Sequence, residues 1–330
     1  RGAFRHAEGL HVVRFGEEQS EALGSAPGLT SYGHLAIAPF GSGVIAAGGV
    51  AGALAFDPDA DQSALPPAME LDAPDEPRPW RKAIRKTTRA IFLEIVTNPT
   101  VRVLDLDPIA RISKEYGLAL LVDSTFASPV NLRPVAHGAD IVIHSATKYL
   151  NGHTDVIAGV VAGTESFIEE VTRLMRLWGT PIDPHPAWLL NRGLKTLAVR
   201  MERHNANGLA VAQWAEGRAG IHSATYPGLA TNPDDSHASH LLKGFVGVAG
   251  LVLEGGAEAA TRFLDRLQLF AHAPSLAGVE SLVSEPRLTS HAHATPAERA
   301  ALGIPDGFVR LSCGIEDAAD LIADLEQALG

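Results

Sequence analysis

The sequence predicts an α/β fold: a large domain with a mostly parallel sheet covered by helices, and a smaller α+β domain at the carboxyl end. Three observations point there. Short β-branched runs recur at residues 90–94, 118–122 and 139–144, with a helix-spaced segment between the first two. Beyond Thr164 the apolar residues recur at three and four. After Ala219 the pattern turns mixed. Strand, helix, strand at this rhythm means parallel strands joined by crossovers, because a tight turn can link only antiparallel neighbours.

Residues 1–75 carry a weak pattern in which Gly, Ala and Pro dominate, and only 34–40 and 44–56 read as ordered apolar segments. From Trp80 the signal sharpens. The run 90–94 is ended by Thr97-Asn98-Pro99, a strand and its turn. Leu106-Asp107-Pro108 then starts a helix with an acid at the cap and a proline in the first turn; Ile109, Ile112 and Tyr116 form its apolar face, and Gly117 closes it. Residues 118–122, 139–144 and 156–161 read as strands, and 186–216 as one long helical stretch. An apolar run at 245–253, a helix near 257–267, a strand at 308–312 and a helix at 317–328 complete the smaller part. The expected division is 1–205 and 206–330, with no linker-like run between the two.

Composition narrows the function. The chain has 330 residues, 46% of them hydrophobic, with a mean hydropathy of +0.07, as in a water-soluble globular protein. Lys plus Arg is 27 against 38 for Asp plus Glu, a net charge of -11, so broad nucleic-acid or anionic-membrane binding has no electrostatic support. One cysteine, Cys313, leaves no internal disulfide and no cysteine-rich metal site; it reads as a buried inert thiol. No apolar run approaches the ~20 residues of a membrane helix, and a cytoplasmic protein is expected. His237, His240, His291 and His293 lie in polar segments without a carboxylate frame and read as solvated loop rather than metal ligands.

The chemistry concentrates where two buried strands end, at Asp123-Ser124-Thr125-Phe126 and at His144-Ser145-Ala146-Thr147-Lys148-Tyr149. In a parallel α/β sheet ligands bind at that edge, so an acid and an amine emerge toward one crevice. A pyridoxal phosphate site needs such a set: a lysine for the aldehyde, a carboxylate for the ring nitrogen, hydroxyls and backbone N–H groups for the phosphate. Read alone, Lys148 and Asp123 also suit a structural ion pair, Asp123 a cap, and Ser145 and Thr147 ordinary turn residues.

From about Trp80 to Gly330 the chain resembles the transsulfuration group of fold-type I pyridoxal-phosphate enzymes: cystathionine gamma-synthase, the cystathionine beta- and gamma-lyases and methionine gamma-lyase. The resemblance rests on Thr97-Asn98-Pro99-Thr100, on 122–129, on 144–153, on Arg192-Gly193-Leu194-Lys195-Thr196-Leu197, on 275–282 and on 309–317. It implies an aspartate-aminotransferase-like large domain and pyridoxal 5'-phosphate as cofactor. Lys148 becomes the lysine that bonds the cofactor and shuttles protons, and Asp123 the partner of the ring nitrogen. Ser145 and Thr147 become phosphate ligands, Arg310 binds the substrate carboxylate, Asn98 contacts cofactor or carboxylate, and Ser275 lines the substrate pocket. It also aligns Ser42, Gly43 and Val44 with a phosphate-binding turn that opens a helix. The implied activity is β- or γ-elimination from cystathionine or a related amino acid, or γ-replacement, in a homodimer or homotetramer with shared sites and with Trp178 near an interface.

The chain departs from that family in two places. The family's Tyr-x-Arg has no counterpart, since Tyr32 is followed by Gly33-His34, and no tyrosine lies between Val44 and Trp80 to match its Tyr-Gly-Gly-Thr loop. Either the sequence is incomplete there or the site is weakened, so a catalytically impaired binding partner is the alternative. Pro274 stands where several gamma-synthases and gamma-lyases of that family place an acid, which disfavours a dedicated γ-replacement activity, whereas elimination needs less. The stretch 41–46 also fits the glycine fingerprint of a Rossmann dehydrogenase, a weaker alternative that leaves the later motifs unexplained.

Overall fold

The computed structural model describes residues 44–47, 53–56, 77–86 and 88–330. One sheet holds β1 (Val44–Ala47), β2 (Ala53–Phe56), β3 (Ala90–Glu94), β4 (Ala119–Asp123), β5 (Ile141–Ser145) and β6 (Gly159–Ala162), in the order β2-β1-β3-β4-β5-β6. The ladders joining β1, β3, β4 and β5 are parallel, and β2 and β6 close the edges antiparallel. The fold is therefore α/β with a mixed sheet.

The last strand runs against the sequence expectation of a further parallel member. The connection from β5 folds back on itself instead of crossing the sheet face: the Thr147 N–H donates to the Ala158 carbonyl at 3.2 Å and the Ala158 N–H to the Thr147 hydroxyl at 3.0 Å. That return reverses β6 and leaves Lys148 inside the hairpin-like loop.

Helix α1 (Pro77–Ala83) is followed by α2 (Leu106–Tyr116) between β3 and β4. The cap of α2 is Asp105, not Asp107: its carboxylate accepts the Asp107 N–H at 3.3 Å, and Asp107 sits in the first turn beside the helix dipole. Ile109 and Ile112 are buried, while Tyr116 is 44% exposed. Gly117 ends the helix at φ 64°, a conformation a side chain resists. After the short α3 (Ser128–Asn131), the region beyond β6 forms α4 (Glu165–Trp178), α5 (Pro184–Leu194) and α6 (Leu197–Ala215). The single stretch expected over 186–216 breaks at Lys195 and Thr196, a junction that periodicity alone does not reveal.

A second sheet has the order β7-β8-β11-β10-β9, from β7 (Ile221–Thr225), β8 (Val248–Leu253), β9 (Ala271–His272), β10 (Leu282–Ser284) and β11 (Phe308–Ser312). It is antiparallel except between β9 and β10. Helices α8 (Gly256–Arg266) and α10 (Ala318–Leu329) pack on it; α7 (Asp235–Leu241) buries Ala238 and Leu241 in the core of the first sheet, and α9 (Pro296–Ala301) precedes β11.

Two large apolar cores dominate among the described residues, beside smaller clusters on the other face of the first sheet and around Ile304 and Phe308. Ile91, Leu93, Leu120, Val122 and Val142 of the first sheet pack with Ile109 and Ile112 of α2. Phe263 and Leu264 of α8 and Leu321 and Leu325 of α10 pack on Leu251, Val309 and Leu311 of the second sheet. Helix α6 joins both, with Met201 and Ala212 in the first core and Val211 and Ala215 in the second. Residue 205, the expected division, lies within this helix. Among the described residues no helix is long and apolar enough to cross a membrane.

Candidate active site

Parallel neighbours β4 and β5 end on one edge of the first sheet, β4 at Asp123 and β5 at Ser145. Thr125 ties the two ends together. Its N–H donates to Asp123 Oδ1 at 2.8 Å, and its Oγ1 accepts the Ser145 N–H at 2.8 Å. Burial pushes the Asp123 carboxyl above the ordinary carboxylate range, against the lowering by the Thr125 hydroxyl and N–H. Among the described residues Asp123 has no cationic partner in an ion pair, so the ion pair with Lys148 weighed from sequence is not formed.

Lys148 sits in the turn directly after β5, with its N–H on the Ser145 carbonyl at 3.2 Å. Its Nζ donates to the Ser275 hydroxyl at 3.2 Å. Burial, then the positive charge of Arg310, lowers the amine from its ordinary value to about 8. A lysine in that range holds a substantial neutral fraction near physiological pH.

Arg310 reaches the same region from β11 of the second sheet. It is 5% exposed, unlike an ordinary surface arginine. Nη1 donates to Asn98 Oδ1 at 2.7 Å, and Nη2 to the carbonyls of Pro274 at 2.7 Å and Ser275 at 2.8 Å. The buried Nε has no acceptor among the described residues. Burial brings the guanidinium down to about 10. A desolvated cation that meets only neutral oxygens among the described residues is costly, and a carboxylate ligand is its natural complement.

The loops holding Asn98 and Ser275 are built under strain. Val101 at φ 56° and Ala277 at φ 67° occupy the left-handed region that side chains avoid. The first loop is closed by the Thr97 hydroxyl, which accepts the Arg102 N–H at 3.0 Å. It is fastened to α7 by Asp234, whose 1%-exposed carboxylate takes Arg102 Nε and Nη2 at 2.6 Å each and the Val103 N–H at 2.9 Å.

The structure thus brings Asn98, Ser275, Arg310 and Lys148 into one connected set, at the edge where Asp123 and Ser145 end. Ser145 Oγ is buried without a hydrogen-bond partner among the described residues. Thr147 Oγ1 is engaged, receiving the Ala158 N–H and donating weakly to its carbonyl at 3.4 Å. Val44 is not at this edge. It pairs with Ala90 at the opposite end of β3 from Glu94, and Glu94 is the residue aligned with Asp123. Four residues of strand is about 13 Å. The N–H groups of Val44–Ala47 belong to a strand, not to the first turn of a helix, which removes both the expected phosphate turn at Val44 and the helix that a dinucleotide fingerprint requires. Ser42 and Gly43 lie outside the described residues.

The expectations for the histidines change, and that for Cys313 holds. His237 and His240 are on α7, and His237 Nε2 donates to the Val103 carbonyl at 2.7 Å. His291 is buried beside the Ser290 hydroxyl at 2.8 Å, and desolvation drops it to about 4. Cys313 is buried, its thiol pushed up to about 12 by burial, as an inert sulfur requires. Sequence reading missed Arg102, Asp234 and Arg200, because a buried arginine on a helix or loop has the same local signature as an exposed one.

These features fit pyridoxal phosphate. Among the described residues, a high-lying carboxyl without a cation suits a ring nitrogen, a depressed lysine suits an aldehyde, an orphaned buried hydroxyl suits a phosphate oxygen, and an arginine without a carboxylate suits an amino acid.

Comparison with known proteins agrees. Residues 68–330 match the model of the Cys/Met metabolism PLP-dependent enzymes. The chain is 43% identical over 251 residues to cystathionine beta-lyase of Coxiella burnetii, covering 76% of this chain and 65% of the relative. It is 41% identical over 249 residues to L-methionine gamma-lyase of Pseudomonas putida, covering 75% and 63%. It is 39% identical over 264 residues to cystathionine gamma-synthase of Mycobacterium leprae, covering 80% and 66%. The chain spans a little under two thirds of the length of these curated relatives. The strand-end lysine and acid, the buried arginine and the sequence match lead to one assignment: this chain belongs to the family of Cys/Met metabolism enzymes that depend on pyridoxal phosphate.

Proposed function

We propose that the protein is a pyridoxal-phosphate-dependent transsulfuration enzyme that acts on cystathionine or a related sulfur amino acid, by β- or γ-elimination or by γ-replacement. The observation that carries this is Lys148: a strand-end amine lowered to about 8, on the Ser275 hydroxyl, within the field of a buried arginine that has no carboxylate among the described residues. The relatives' names span elimination and replacement, so the bond broken is left at that class.

When bound, pyridoxal phosphate supplies an aldehyde for an amino group and a ring that draws electrons from Cα. Lys148 holds the cofactor and, once free as a neutral amine, takes the proton from Cα. Asp123 keeps the ring nitrogen protonated. Ser145 gives its hydroxyl to the phosphate, and Thr147 joins it by releasing its weak bond to Ala158. Arg310 takes the substrate carboxylate, offering the fork that now rests on Asn98 and two carbonyls, and Ser275 orients the lysine.

The proposed architecture is of the aspartate-aminotransferase type, with 1–205 as the cofactor-binding part and 206–330 as the smaller one. A cytoplasmic homo-oligomer is proposed as well. Its support is the apolar surface of α4, α5 and their neighbours, where Ile157, Leu177, Trp188 and Val199 are 81%, 60%, 58% and 65% exposed.

The test is an assay of the full chain with added pyridoxal phosphate. Release of pyruvate or 2-oxobutyrate with ammonia from cystathionine, or formation of cystathionine from an activated homoserine ester and cysteine, is expected. If a loaded sample does neither, the enzymatic reading fails and the binding-partner reading takes its place.

A further inference from the structure

Arg200 of α6 is 4% exposed, and its guanidinium is spent on the turn that carries Lys148. Nη1 donates to the Tyr149 carbonyl at 2.8 Å, while Nη2 reaches the Gly193 carbonyl at 2.9 Å and the Leu150 carbonyl at 3.4 Å. Nε donates to the Thr196 hydroxyl at 3.1 Å. The cation thus joins the α5–α6 junction to the two residues that follow Lys148. Two glycines make room. A Cβ on Gly152, itself at φ 72°, would overlap the Arg200 guanidinium, and one on Gly193 would overlap the Asn151 backbone.

The same face of α6 also holds the strand that carries Arg310. Four residues on, His204 Nδ1 donates to the Cys313 carbonyl at 2.8 Å, and its ring meets Tyr149 edge-on at 5.0 Å. Three residues further, Asn207 Nδ2 donates to the carbonyls of Gly314 and Glu316 at 3.0 and 2.9 Å. Positions 200, 204 and 207 lie on one helical stripe. One rigid element therefore fixes the lysine turn and the end of the arginine strand relative to each other.

We propose that Arg200 is a positioning residue for Lys148: by holding the Tyr149 and Leu150 carbonyls it seats the turn so that the amine stays against Ser275 and near Arg310. A planar fork does this where a lysine cannot, since it serves separate carbonyls in fixed directions. The role rests on the reading of Lys148 as the reactive lysine, but its consequence is visible without cofactor. With the seat gone, the turn loosens and Lys148 becomes solvated.

The experiment is pH-dependent acetylation of the cofactor-free full chain, with Lys148 followed by peptide mass spectrometry in wild type, Arg200→Lys, Arg200→Gln and Leu325→Ala. The wild-type midpoint is expected near the value of about 8 that the environment of Lys148 imposes. In Arg200→Gln it climbs toward the ~10.4 of a solvated lysine, with Arg200→Lys between. Leu325→Ala, a destabilising change in the second core away from the turn, leaves it in place. An unmoved midpoint in folded Arg200→Gln overturns the proposal, as does an equal rise in Leu325→Ala, which would mark general loosening. Failure of wild type to take up pyridoxal phosphate, with the Arg200→Gln shift intact, overturns the functional reading and leaves the positioning role standing.

Discussion

Lys148 is a liability to the cofactor-free fold, and replacing it with methionine tests by how much. Its amine falls from an ordinary 10.5 to about 8, chiefly through burial. One unit is about 1.4 kcal/mol, so the full shift corresponds to roughly 3 kcal/mol, and partial solvent access to the side chain trims this to about 2. The sign follows from proton counting. The unfolded chain binds more protons than the folded one between about pH 8 and 10.5, so stability rises with pH across that window, and below pH 8 the whole penalty is present. Methionine has nearly the same length, carries no charge and gives up only the 3.2 Å bond to Ser275. Lys148→Met is therefore expected to raise the melting temperature of the cofactor-free protein by a few degrees at pH 7, with a gain that fades toward pH 10.5. Differential scanning fluorimetry across pH 6.5–10.5 reads both. No gain at neutral pH, or a gain that does not depend on pH, would refute the view of Lys148 as a desolvated amine.

Three further outcomes follow from the same geometry. Asp123→Asn should stabilise the cofactor-free chain at neutral pH, because a carboxyl raised by burial loses stability as it ionises, and should weaken pyridoxal phosphate binding at least about tenfold in equilibrium dialysis. Arg310→Lys should raise KM for the amino-acid substrate by about 10–100-fold with cofactor affinity unchanged, since a charge-assisted hydrogen bond contributes about 1.5–3 kcal/mol. Asp234→Ala leaves the buried Val103 N–H without its acceptor and removes one partner of Arg102, and should cost about 2 kcal/mol in urea unfolding; a loss under about 0.5 kcal/mol would show that the clasp on the Asn98 loop is dispensable.

The legible parts of this protein are those with local signatures. Residues 90–94 and 118–122 declare themselves as buried strands by composition, and Leu106-Asp107-Pro108 with Gly117 brackets a helix, although the capping acid is Asp105, just ahead of that motif. Lys148 and Asp123 were legible because strand ends of a parallel sheet share an edge. Strand direction has no such signature, which is why composition places β6 with the parallel series although a loop that returns to Ala158 reverses it. Partners far apart in sequence were equally hidden. Arg102 meets Asp234, and Arg310 meets Asn98, only because the second sheet packs where it does. His291 looked like a loop histidine because a polar neighbourhood in sequence does not disclose burial in space.

The sharing of α6 between two cores bears on how the chain can be cut. A break at residue 205 would leave Met201 on one fragment and Val211, Ala212 and Ala215 on the other, so neither piece would keep a whole helix or an intact core. Isolated helix halves of about ten residues are marginal in water. Fragments divided there would be expected to regain structure only on mixing, when the helix is rebuilt across the nick. A nick in the turn between β7 and α7 would leave α6 whole, making it the milder place to open the chain.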